Sequence, residues 1–184
     1  MPDNRFYDAG ALRQVATNLF YGCGYNFYRI ENQLRADDQL VRSKAASLLG
    51  VAMATVGVAE SEYRREFLPA PSRAKPFPDP AAVTAAQRLE RLAQGIGALE
   101  ASIQQQAVPG NDRMTQRYRQ EAATLKVLIE HDELLVGQCD LLRSMVESQN
   151  GAGILQNLPA LELGLEAIRA TLHKREAVLL DRAP

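Results

Sequence analysis

The chain has no tryptophan, and only two cysteines and two histidines among its 184 residues. Two thiols cannot staple a small secreted scaffold, so a packed core must hold the fold. Two histidines leave acid–base chemistry mainly to carboxylates or tyrosines, and no catalytic set stands out. Charge of one sign is lacking too. The formal net charge of −1 excludes a broadly basic surface, and the pairs Arg64-Arg65 and Arg117/Arg119 are too short to form a nucleic-acid stripe. No GxxxxGK[ST], no GxGxxG after a strand and no GxSxG occurs, so phosphate-loop and nucleophile-elbow chemistry lose their signatures.

Long hydrophobic runs are also missing. The longest uncharged stretch, Ala45–Ala59, lies between Lys44 and Glu60 and is built of Ala, Gly, Ser and Thr as much as Leu and Val. A membrane span needs about 20 apolar residues, so the stretch reads as a buried helix and no membrane association is expected. The N-terminal Met-Pro-Asp-Asn-Arg-Phe-Tyr-Asp has no apolar core after a basic start, and Asp-Arg-Ala-Pro at the other end carries no lipidation signal. The expected location is cytoplasmic, with both thiols reduced.

What is present is ordinary globular composition, 46% apolar and 23% charged, arranged with helical periodicity and no sustained alternation of period two. Asp8 is placed to cap a first helix to Phe20, with Leu12, Val15, Ala16 and Leu19 on one face. From Phe27 a stripe in steps of three and four runs to Phe67, interrupted only by Asp38, where the helix either kinks or buries a paired polar group. Asp79-Pro80 is an N-cap followed by proline at the first helical position. The seam that follows is Ala82, Ala85, Leu89, Leu92, Ile96, Leu99 and Ile103, which is coiled-coil-like.

A fourth segment, Asp112 to Glu147, has two apolar stripes. One holds Met114, Tyr118, Leu125, Leu128, Leu135, Cys139, Leu142 and Val146; the other holds Val127, Leu134, Leu141 and Met145. Only Lys126, Glu130, Glu133, Gly137, Asp140 and Ser144 look solvated, so this helix should have neighbours on several sides. Gly151-Ala152-Gly153 reads as a break. Asn157 and Pro159 then open a last helix with the seam Leu158, Leu161, Leu165, Ile168, Leu172 and Leu179.

The sum predicts an all-α chain: an antiparallel bundle of four long helices with an N-terminal helical arm. The arm covers residues 1–24 and the bundle 25–184, with a proline-rich linker at 69–80 between the second and third helices. The linker has no P-x-x-P and reads as a spacer.

Several constellations invite a functional reading. Seven of the eleven aromatic residues fall in the first 28 positions, either as a contact surface or as rings covering the bundle end. Phe20, Tyr21, Tyr25 and Tyr28 are the expected partner contacts. Ala46, Gly50, Ala54 and Gly57 allow close helix approach, either inside the bundle or in a homodimer, and Gly50 and Ala54 join the contact set. Glu130-His131-Asp132-Glu133 resembles a metal cluster, but ligands on one helix must sit three or four apart. The residues at those offsets from His131 are Val127, Leu128, Leu134 and Leu135, so no metal is expected. His131, Asp132 and Gln138 within the apolar arc read as a buried polar network or, with Tyr25 and Tyr28, as a small-molecule site. Cys23, between two glycines, has no basic neighbour in sequence to activate it, and Cys139 reads as core. No cofactor is expected. The leading expectation is a non-enzymatic protein acting through protein–protein contacts, as a homo-oligomer or with another protein; the alternative is a ligand-binding bundle with a pocket near His131.

Overall fold

The computed structural model describes residues 4–21, 34–73, 76–106 and 122–180. Among these the chain is helical, with no strand. A 3-10 turn, Asn4–Tyr7, leads into α1 (Ala9–Tyr21). Then come α2 (Leu34–Phe67), α3 (Pro80–Gln105), α4 (Ala122–Val146), the short α5 (Gly151–Gln156) and α6 (Leu158–Leu180).

The helix starts follow the expected cap chemistry. Asp8 accepts from the Ala11 N–H at 3.2 Å. Asp79 accepts from the Ala81 N–H at 3.0 Å ahead of Pro80. In both, a carboxylate oxygen satisfies one of the orphan donors of a first turn. α2 runs as one helix through Asp38. The Gly151-Ala152-Gly153 break is instead a helix of its own. Asn150 accepts from the Gly153 N–H at 2.9 Å, so the cap outweighs the low helix propensity of two glycines. Ser148, at φ 61°, ends α4 in the left-handed conformation that glycine usually supplies.

α2 and α3 form an antiparallel hairpin. Arg42 near the start of α2 reaches the end of α3, where its Nη1 donates to the carbonyls of Gln104 and Gln106. Arg64 near the end of α2 pairs with Glu90 in the first half of α3 at 2.9 Å. The predicted α3 seam is buried with one exchange: Ala86 replaces Ala85. Gly97 makes room for the Met53 sulfur.

α4 is a central helix, packed against α1, α2 and α6. Its first stripe is buried as expected at Leu128, Leu135, Cys139, Leu142 and Val146. The second stripe is only partly covered, and Val127 is exposed. The adjoining face of α4 is the one that α1 covers. Gly137, read from the sequence as solvated, is buried under α1. A Cβ there would meet the Leu12 carbonyl oxygen at 2.3 Å, so the α1 backbone occupies the space a side chain would take.

The core joins Phe6, Ala16 and Phe20 of the N-terminal region to Val41, Leu49 and Val56 of α2, Leu89 and Ile96 of α3, Leu135 and Leu142 of α4, and Leu161 and Ile168 of α6. The arm is therefore part of the same core as the long helices. Residues 112–121, the start of the predicted fourth segment, and residues 25–33, the start of the second, lie outside the described residues, as does Cys23.

Candidate functional site

Two places collect the residues singled out from the sequence: the polar core where α4 meets α6 and the N-terminal arm, and the outer face of α2.

In the polar core, Asp132 and Gln138 are buried and His131 is half-buried, all on α4. Different elements engage the first two. The Asp132 carboxylate accepts from Arg175 Nε on α6, and both side chains are fully buried. Gln138 Nε2 donates to the Phe6 carbonyl at 3.0 Å. Phe6 itself is fully buried against α6, where its ring lies 2.4 Å from the position a Cβ on Gly164 would take. Gln138 thus holds the arm by its backbone while Gly164 leaves the slot for its ring.

Arg175 is absent from the sequence-derived set. Its signal was a gap: the α6 seam jumps from Leu172 to Leu179, and the helical offset of three from Leu172 is Arg175. A cation in one apolar seam and Asp132 in another are a pair by charge and by burial, since buried charges persist only when compensated.

Around this pair lies a half-exposed rim. Arg13 of α1 pairs with Glu130 at 3.3 Å. Burial pushes the His131 imidazole below its ordinary pKa, with Lys174 adding to the effect and Asp132 and Glu130 opposing it. Burial also raises the Glu133 carboxyl, against the pull of Arg13. Cys139 is fully buried, and its thiol is pushed far up by desolvation, so it is an inert core group. No group of three or more His, Cys, Asp or Glu side chains able to hold a metal gathers among the described residues. His173 is exposed.

The aromatic arm divides. Phe20 is buried in the core, which leaves a partner little of its ring to touch. Tyr21 ends α1, and its side chain, like Tyr25 and Tyr28 entirely, lies outside the described residues. Removal of residues 1–24 would take Phe6, Leu12, Ala16 and Phe20 out of the packed chain. The arm is thus a structural element, not a detachable one.

The outer face of α2 is the second place. Ala46 is buried, and Gly50 faces α3, where a Cβ would stand 3.5 Å from Glu100. Part of the small-residue row thus serves packing within the chain. Ala54 is exposed, and among the described residues nothing outside the helix's own backbone lies within 4 Å of a Cβ on Gly57. Beside them Val51 is 51% exposed, Val58 60% and Leu40 39%. With Ser47 and Ser61, also exposed, these residues make a continuous strip on one side of the helix. The segment Gln39–Phe67 is long and apolar enough to cross a membrane by length and composition, but 44% of its apolar window is buried by the rest of the chain.

No protein-family model matches the chain, and neither a curated protein nor a solved structure matches it.

Proposed function

We propose that this chain is a non-enzymatic helical-bundle protein that acts through protein–protein contact, with the outer face of α2 as the contact surface. The observation that carries the proposal is the exposed strip of Val51, Ala54 and Val58 in the middle of the longest described helix. Single exposed apolar residues are ordinary; an aligned row of them, left exposed by the described helices, is what a contact surface looks like. Of the buried polar groups, Asp132 is engaged by Arg175 and Gln138 Nε2 by the Phe6 carbonyl, while Gln138 Oε1 is buried without a hydrogen-bond partner among the described residues, so a small molecule near His131 stays the second reading. Of the expected contacts, Ala54 lies on this face and Phe20 is buried, while the Tyr21 side chain, Tyr25 and Tyr28 lie outside the described residues.

The test is native mass spectrometry of the protein isolated from its own cells, beside the Val51→Glu/Val58→Glu double variant. The expected result is an assembly heavier than the 20.3 kDa chain that the variant loses, with helix content and melting temperature unchanged. The bare chain mass alone in the unaltered protein, or an assembly that survives the substitutions, overturns the proposal.

A further inference from the structure

We infer that the partner on this face is a second copy of the same chain, packed antiparallel along α2, with Lys44 of each copy against Glu62 of the other. The inference rests on the contact reading above and adds to it the identity and the register of the occupant.

The argument is the self-complementarity of the face. Lys44 and Glu62 are about five helical turns apart at 3.6 residues per turn, so they lie on the same flank of the exposed strip. Between them the helix carries no charge until Glu60, which is taken up by Arg64 on the same helix. Glu62 makes only a long contact with Arg65, 3.9 Å away with both side chains largely exposed, so one end of the flank offers a lysine and the other a glutamate still open to a second partner. A parallel copy would set lysine against lysine and glutamate against glutamate. An antiparallel copy related by a two-fold axis sets Lys44 against Glu62 twice, each pair within about one residue's rise of level. Opposite charges flanking an apolar strip fix orientation and register in this way.

The centre of the strip fits the same register. With the axis passing between Ala52 and Met53, Val51 meets Ala54 of the second copy and Ser47 meets its Val58. Large thus faces small along the contact, which lets two helices interlock. Glu62 is 60% exposed at its side chain, and Arg65, 3.9 Å from it, lies at the end of the strip opposite Leu40 of the second copy. There the aliphatic stem of Arg65 can cover the leucine while its charged head stays in water.

The experiment uses the purified full-length chain alone, by sedimentation equilibrium over a concentration series, with the variants Lys44→Glu, Glu62→Lys and the double exchange. The expected result is a reversible dimer of the 20.3 kDa chain, weakened about tenfold by each single reversal and restored to within about threefold by the double exchange. Circular dichroism of each variant checks that the fold is intact. A purified chain that stays monomeric throughout overturns this inference but not the contact reading, which fails only if the protein from cells is also a lone chain. A dimer indifferent to both reversals, or one that the double exchange does not rescue, overturns the antiparallel register.

Discussion

Asp132 on α4 accepts a hydrogen bond from Arg175 Nε on α6 at 2.5 Å, with neither side chain exposed to water. The pair ties the two helices at the end remote from the short α5 connection. Removing one partner takes from the other the buried counter-charge described here, which costs up to about 3–5 kcal/mol. Replacing both by apolar groups of similar volume avoids that penalty. Asp132→Ala and Arg175→Ala should therefore each lower the unfolding free energy by about that amount, while Asp132→Leu/Arg175→Met should cost well under the sum of the two. Urea titrations followed by circular dichroism measure all three. Additive losses in the double variant would contradict the account.

The docking of the arm gives a change of sign. Gly164 has no room for a Cβ because the Phe6 ring fills the position. Gly164→Ala should destabilise the chain by about 1–3 kcal/mol through overpacking. In a Phe6→Ala background the obstruction is gone, and the same substitution should stabilise by up to about 1 kcal/mol, the helix preference of alanine over glycine. A double-mutant cycle on the melting transition reads this coupling. At Gly137 no such rescue is expected, since the obstruction there is the Leu12 backbone.

These two sites also show what the residues disclosed unaided. The seams at Leu89–Ile103 and Leu158–Leu172 lie where the periodicity put them, because an amphipathic stripe is a local property. Asp8 and Asp79 cap as read, for the same reason. Gly137 reads as solvated in the sequence because glycine carries no hydropathy signal. Only the approach of α1 from elsewhere in the chain shows why a side chain is excluded. Phe6 and Phe20 could be read as surface or cover, and periodicity cannot distinguish an arm docked on its own bundle from one offered to a partner. Arg175 appeared only as a missing beat in a seam. Its meaning depends on Asp132, 43 residues away in sequence. In the same way, the openness of Val51 and Val58 depends on which helices fail to cover α2, a property of the assembled fold.

Arg42 offers a stability test at the other end of the bundle. Its guanidinium is buried at the C-terminus of α3 and donates to Gln104 and Gln106 carbonyls at 3.4 and 3.1 Å. Those carbonyls sit among the last of the helix, which lack intrahelical donors and carry the negative end of the dipole. Arg42→Met keeps the stem and removes the donors. It should cost about 1–3 kcal/mol, the penalty of hydrogen bonds to a charged group. Hydrogen exchange should show the protection lost first in the last turn of α3. An unchanged exchange pattern there would mean that the cap contributes nothing.

The rim of the polar core predicts opposing responses to acid. His131 has a lowered pKa in the folded chain because burial, then Lys174, disfavours the imidazolium. As pH falls through the ordinary value of 6.5, the unfolded chain takes up a proton that the folded chain resists, so His131 withdraws stability until its own lowered pKa is reached. Glu133 behaves in the opposite sense. Burial raises its pKa above the ordinary 4.5, so its contribution is fully present below that value and is lost as pH rises through the raised one. His131→Gln should therefore flatten the acid-side decline in urea midpoint between about pH 7 and pH 5. Glu133→Gln should stabilise the chain at neutral pH, with the advantage over the unaltered protein shrinking as the medium is acidified. Parallel shifts of both variants at every pH would show that neither group titrates differently in the folded and unfolded states.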